Sequence, residues 1–398
     1  MSHHQPHHNP IPKRPLVKTM RPRSPHEVHR ASTPLELLFD LVFVVAVALA
    51  AARLHHGIVE NHTGHALQAY SMVFFAIWWA WLNFSWFASA YDVDDVPYRL
   101  LVLLQLTGAL VLAAGVPLAF EEGNFMITVA GYVVMRIALT LQWLRAWRAD
   151  VARRPIIVRY IVGLIVMQMA WVAYLFFPPS LKVAFFIVFA IGEMLVPVIA
   201  ESKGFTPFHP EHIAERYGLF TIIVLGESIL AASTAVQSAL IDGHLDAQVL
   251  KIALGGILIV FSMWWSYFQQ TEYNLTSSLR STVLWGYGHY FIFASAAAVG
   301  AGLGVAVDYA TGVTHISSVT AGLAVAVPAA IFCLSLGVVH GRLSAGGLML
   351  TLFLTAIIAT LVTPWLPDTT LWVGVILSVF LGINLWLNRG EAEEVTHH

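Results

Sequence analysis

Charge is what this chain has least of. Of 398 residues only 11% are Asp, Glu, Lys or Arg, against about one quarter in soluble domains. That is too little to cover a water-facing surface. Acids and bases nearly cancel, at a net −2, which leaves no basic field for nucleic acid. Cysteine is all but absent. Cys333 stands alone in an apolar run, so intrachain disulfides and thiolate metal sites are excluded and Cys333 reads as a small packing residue. There is no H-E-x-x-H, P-loop, G-x-G-x-x-G or serine-nucleophile motif. No metal or cofactor is expected, and an enzyme is the less favoured class. The start of the chain has no apolar core, which argues against a cleavable signal peptide there. His3, His4, His7 and His8, with His397 and His398 at the other end, read as tail residues rather than ligands.

What the chain has instead is apolar runs of spanning length, one after another. They predict an all-α polytopic membrane protein of about 12 helices. In the first half these lie at about 35–54, 66–90, 99–120, 125–147, 157–177 and 181–200. In the second they lie at about 213–238, 248–268, 283–307, 317–340, 343–364 and 369–388. Two pairs sit close together, split by Phe177-Pro178-Pro179-Ser180 and by Pro364-Trp365-Leu366-Pro367-Asp368, and read as tight hairpins. Basic residues crowd one side: six before the first span, then Arg145, Arg148, Arg153, Arg154 and Arg159, with Arg99, Lys203, Arg216, Arg280, Arg342 and Arg389. Arg53, Lys182 and Lys251 fall on the other side. The positive-inside rule then puts both termini in the cytoplasm.

The halves resemble each other. Phe75-Ala76-Ile77-Trp78-Trp79-Ala80-Trp81 parallels Phe261-Ser262-Met263-Trp264-Trp265-Ser266-Tyr267, and Leu38-Phe39-Asp40-Leu41-Val42 parallels Leu219-Phe220-Thr221-Ile222-Ile223. Glu121 and Asp308 close the third and ninth spans. Two parallel six-helix repeats are expected, at 31–200 and 201–390, between a basic, His-rich disordered tail at 1–30 and a C-terminal tail at 391–398.

Ionisable residues inside spans are costly and mark sites or structural pairs. Glu36 and Asp40 lie four apart on one face of the first helix, behind Thr33 as candidate N-cap and Pro34 at the first position. They repel unless a cation lies close, which nominates Arg99, Arg216 or a bound ion. Arg136 occupies the centre of the fourth span and needs a carboxylate, for which Glu227 is the candidate. In the seventh span His212, Arg216 and Glu227 form one polar stripe at 100° per residue, with Glu215 beside it. Glu193, between Gly192 and Pro197, suggests a bent segment with freed carbonyls. Asp92, Asp94 and Asp95 read as a solvated turn, the Trp pairs as anchoring or packing residues, and His289 as a titratable group or an interior hydrogen-bonded histidine. For Arg136, Glu193 and Glu227 a purely structural pairing competes evenly with an ion-handling role.

These motifs carry a family resemblance. Pro34-Leu35-Glu36-Leu37-Leu38-Phe39-Asp40-Leu41-Val42-Phe43-Val44 resembles the opening signature of the low temperature requirement A family of prokaryotic membrane proteins. Asp94-Asp95-Val96-Pro97-Tyr98-Arg99, His212-Ile213-Ala214-Glu215-Arg216, Leu225-Gly226-Glu227-Ser228 and Gly288-His289-Tyr290 resemble its later motifs in order. The likeness covers about 31–390 and implies a bacterial inner-membrane location but no reaction. Phe39-Asp40-Leu41-Val42-Phe43 is also similar to the F-S-D-x-V-F signature of endolysosomal potassium channels, whose six-span repeats line the pore with their first helices. The motif's serine is missing here and Thr221 stands where a second Asp would, so potassium selectivity does not carry over.

The function expected is a channel or transporter for a small ion, protons among the candidates, with spans one and seven flanking the path. Asp40, Glu193 and Glu227 would be its acids, and Arg136 and Arg216 their counter-charges. The competing expectation is a non-transporting protein, either a membrane-embedded enzyme or a sensor binding a polar or lipid head group. Partners expected are the lipid bilayer and a small ion or polar ligand, without nucleic acid; a homodimer is compatible with either reading.

Overall fold

The computed structural model describes residues 16–24, 27, 30–243, 246–269, 278–341 and 347–387. The terminal histidines, Arg342 and Arg389 lie outside them. Among the described residues there are twelve helices long and apolar enough to cross a membrane, and no strand. The protein is a multi-pass membrane protein whose outer helices contact the lipid bilayer.

Local chemistry sets the helix starts. In α1 (Pro34–Val59) the Thr33 side chain caps the Glu36 N–H while the Glu36 carboxylate accepts from the Thr33 backbone, a reciprocal capping box with Pro34 in the first turn. After α2 (Thr63–Tyr91), Asp95 caps α3 (Val96–Glu121) through the Tyr98 N–H. Then come α4 (Met126–Ala149), α5 (Arg154–Tyr174) and α6 (Pro179–Ala200). In the second half His209 caps α7 (Pro210–Ile241), Asp246 caps α8 (Ala247–Phe268), Ser278 caps α9 (Leu279–Ala310) and Ser317 caps α10 (Ser318–Val339). The last helices are α11 (Gly347–Val362) and α12 (Thr369–Leu387). Both expected hairpins are present: α6 begins at Pro179, and a 3-10 turn at Thr363–Trp365 leads toward α12.

Helices α2 and α9 are the most enclosed, while α5, α6 and α11 turn most of their surface outward. Close neighbours are α3 with α4, α9 with α10, α8 with α12, α7 with α9, and α1 with both α2 and α3; α1 also meets α7 and α9, joining the halves. Lipid supplies no hydrophobic drive between helices, so the tightest seams use small residues that let backbones approach. A Cβ built on Gly108 of α3 would lie 2.7 Å from the Gly131 carbonyl oxygen of α4. On Gly302 of α9 it would collide with the Ala324 carbonyl of α10. Gly302→Ala should therefore cost about 1–3 kcal/mol by overpacking. By contrast Gly226→Ala, with nothing within 4 Å, should be neutral or mildly stabilising through helix propensity. Thermal melts in detergent would compare the two.

The tryptophan clusters differ between halves. Trp78, Trp79 and Trp81 are fully buried, whereas Trp264 and Trp265 are about half exposed, at 47% and 50%. Trp264 and Trp265 thus face the surroundings, as anchors do. Trp79 and Trp81 instead deliver indole N–H groups to carboxylates in the interior.

Candidate functional site

Two buried charge clusters lie inside the bundle, and they differ in charge balance. The first joins α1, α2 and α7. Arg216 Nη2 donates to Asp40 Oδ1 at 2.5 Å and to Ser85 Oγ at 3.2 Å. Trp81 Nε1 donates to the same Asp40 oxygen at 2.7 Å. Arg216 Nη1 lies 3.8 Å from Glu36 Oε1, and His212 Nε2 lies 3.3 Å from it. Glu36 Oε2 also accepts from the Thr33 N–H and hydroxyl. All four ionisable side chains are within 2% of complete burial. They meet because residues four apart share a helix face, Glu36 with Asp40 on α1 and His212 with Arg216 on α7, and α1 packs on α7. Asp40 Oδ2, Arg216 Nε and His212 Nδ1 have no hydrogen-bond partner among the described residues.

A charged rim surrounds this cluster. The Arg30 guanidinium donates to the carbonyls of Ala88 and Ser89. Arg23 pairs with Glu27 at 2.6 Å and approaches Asp92 at 3.7 Å. Lys18 donates its backbone N–H to Asp95 and its ammonium to the Val93 carbonyl, while Arg145 pairs with Asp95 at 2.6 Å. Residues 16–24, assigned to the tail on sequence, thus fold against the α2–α3 link. The aspartates there are not a solvated turn: only Asp94 is open, and Asp92 and Asp95 are buried. Their backbone turn places them inward, with Asp94 at φ 42°.

Burial, and then the nearby Glu36 charge, raise Asp92 to about 6. A carboxyl whose folded value lies above its unfolded one favours folding most at low pH, and that contribution is lost as pH rises from about 4 through 6. Asp92→Asn should accordingly be more stable than the parent at pH 8, by up to about 3 kcal/mol, with the difference gone near pH 4. Melting curves across that range check it.

The second cluster joins α2, α4, α5 and α6 around Glu193. Its Oε2 accepts from Arg136 Nη2 and from Trp79 Nε1, both at 2.9 Å. Its Oε1 accepts from Tyr132 OH at 2.9 Å and Trp171 Nε1 at 3.1 Å. Arg136 also donates to the Tyr132 hydroxyl and lies over its ring, 4.6 Å from the centroid. One base meets one acid here, and the acid is saturated by donors. Helix α6 runs unbroken through Gly192 and Pro197, so side-chain donors surround Glu193 rather than freed carbonyls.

Other sequence expectations are corrected as well. Arg136 pairs with Glu193, not Glu227. Glu227 is half-buried and makes no hydrogen bond or ion pair to a described residue. It shares an azimuth with Arg216, but the buried stripe of α7 advances through Arg216, Phe220, Val224 and Ser228. Steps of four residues turn that stripe 40° each time, so it has left Glu227's face by that depth. Arg99 is remote from the acids: it is exposed and clasps Asp94 with bonds of 2.7 and 2.9 Å. Glu215 is exposed too, and among the described residues accepts from the Ser32 N–H at 3.3 Å. His289 is interior, bonded to the Trp285 carbonyl at 2.7 Å and to Tyr267 OH at 3.1 Å. It stands apart from both clusters' acids, touching the ring of Tyr217. Ser85, Trp81, Trp79, Tyr132, Trp171 and Arg30 were not foreseen. Only the placement of Trp79 and Trp81 beside an acid-bearing helix hinted at their use as donors.

At the far end of α1 two more pairs appear: Arg53 with Glu121, and His55 with Asp308 at 2.7 Å. Between Asp40 and these pairs, the inward face of α1 is Phe43, Val47, Ala50 and Leu54, all buried.

Among known proteins, the chain is 31% identical over 277 residues to an uncharacterized protein of Rhizobium meliloti (strain 1021), a match spanning 65% of this chain and 65% of the relative's length. No solved structure matches it significantly. The family model for the bacterial low temperature requirement A protein (LtrA) matches residues 31–384. That covers both charge clusters and all but the last turn of the helical bundle: the chain belongs to the LtrA family.

Proposed function

We propose that the protein is an inner-membrane transporter or channel for a small ion, the proton foremost, and that the α1–α7 cluster is its ion site. The observation that carries this reading is the charge count. Glu36 and Asp40 face the single guanidinium of Arg216. Among the four fully buried side chains the surplus is one negative charge when His212 is neutral. The rim, with Arg23, Arg30, Lys18 and Arg145 against Glu27, Asp92 and Asp95, carries the opposite unit charge but reaches solvent through Arg23, Glu27 and Arg145, where it is screened. A fully buried surplus charge is too costly to leave uncompensated. One proton, on a carboxylate or on His212, balances it. The imidazole reaches Glu36 with Nε2, and its Nδ1 has no partner among the described residues, which suits a relay. The side chains therefore hold one exchangeable proton that the Arg136–Glu193 cluster, already neutral, does not need.

The bias of basic residues supports cytoplasmic termini, which puts the α1–α7 cluster at the cytoplasmic side. The parallel neighbour sets, α1–α3–α4 against α7–α9–α10, support the two-repeat organisation. One observation favours the competing reading of a non-transporting protein with a structural charge lock. The apolar stretch from Phe43 to Leu54 separates Asp40 from His55 and Asp308, so transport requires α1 or α7 to move. Proton flux into proteoliposomes, parent against Asp40→Asn, decides between the readings.

A further inference from the structure

The Arg136 cluster has a second side. A groove of about 600 Å³ runs between α4 and α5, and Arg136 lines it together with Thr140 and Gln168. Its walls are aliphatic, among them Ile137, Ile165 and Met169, which are 52%, 46% and 60% exposed on the outside of the bundle. The groove thus opens sideways, toward the acyl chains, and its volume falls in the range of small-molecule sites. Its polar floor is unfinished. Arg136 is only 3% exposed, yet among the described residues its Nε and Nη1 have no partner, and neither the oxygen nor the nitrogen of the Gln168 amide has one. Buried donors without acceptors are rare and costly, more so in hydrocarbon, where water does not compensate.

From this geometry we infer that the groove binds an uncharged, lipid-soluble molecule with carbonyl oxygens on a compact head, of the prenylated-quinone class. This goes beyond the proposed ion site and does not depend on it. Depth decides first. Arg136 stands ten residues into α4, about 15 Å at 1.5 Å per residue, near the middle of the bilayer. Phospholipid head groups do not reach there. Charge decides next. Glu193 already neutralises Arg136 at 2.9 Å, so a bound carboxylate or phosphate would carry an unbalanced charge into the membrane centre. A neutral acceptor takes the Arg136 N–H donors without that cost. The Gln168 amide offers both a donor and an acceptor, matching a head that presents carbonyls when oxidised and hydroxyls when reduced.

The test is equilibrium binding of a radiolabelled, decyl-tailed benzoquinone to the full chain in lipid nanodiscs, with empty discs subtracted. Gln168→Leu and Met169→Trp leave the Arg136–Glu193 pair intact, and unchanged melting temperatures would verify their fold. The expected result is saturable binding to the parent. Losing the Gln168 hydrogen bonds should weaken it about tenfold, and filling the groove with Met169→Trp should abolish it. No saturable binding to the parent, equal binding to Met169→Trp, or displacement of the quinone by equimolar oleate would each overturn the inference.

Discussion

Glu193→Gln should cost the folded protein about 3–5 kcal/mol, the penalty for removing one partner of a buried ion pair. The reason lies in the donors around this carboxylate. Arg136, Trp79, Tyr132 and Trp171 all direct N–H or O–H groups at its two oxygens. A glutamine amide has one oxygen to offer and turns an NH₂ group toward donors it cannot accept from. It also leaves the Arg136 charge, 3% exposed, without its counter-ion. The Arg136→Met/Glu193→Gln double variant should recover more than half of the loss, because the uncompensated charge disappears with the arginine. Such non-additivity is expected of residues in one network. Chemical denaturation in mixed micelles, run on the double-mutant cycle, measures both quantities. Additive losses would mean that the pair is not electrostatically coupled.

Asp40→Asn should behave in the opposite manner, mild for the fold and severe for transport. Asparagine keeps an oxygen for Trp81 Nε1 and Arg216 Nη2, which meet the same Asp40 atom at 2.7 and 2.5 Å. Removing one acid leaves Glu36 and Arg216 as a balanced pair, so stability should stay within about 1 kcal/mol of the parent, as expected where no buried charge is stranded. The surplus negative charge is gone, and with it the need for a balancing proton. Proton flux should fall at least a hundredfold. Equal stability losses at Asp40 and Glu193 would show instead that both clusters are structural locks.

The helices were readable from the sequence because the bilayer imposes one requirement, an apolar run of spanning length whose backbone bonds are internal. Thr33 was readable as the cap of α1, whereas Asp95 and Asp246 emerge as caps only in the structure. Of the site, the shared face of the α1 acids was readable because residues four apart must share one, and Arg216 was one of the cations nominated for them beside Arg99 and a bound ion. The partner of Arg136 was not readable. Glu227 was the candidate because it too stands near mid-span, and azimuth on a straight helix set it on the Arg216 stripe. The buried stripe of α7 instead winds away from that face as the helix crosses its neighbours, a property of packing angle that no single helix encodes. The aspartate turn was misread for a related reason. Residues 16–24 fold back over Asp92 and Asp95, and that short basic segment carries no periodicity to announce the contact.

The central claim, that the α1–α7 cluster carries one exchangeable proton for transport, is tested most directly by proton flux. The purified parent chain would be reconstituted in sealed proteoliposomes, a pH gradient imposed, and internal pH followed with a trapped dye. The account predicts dissipation faster than in protein-free vesicles, abolished in Asp40→Asn while that variant still reconstitutes. Dissipation by the parent no faster than in empty vesicles, with protons and with alkali cations alike, would contradict it.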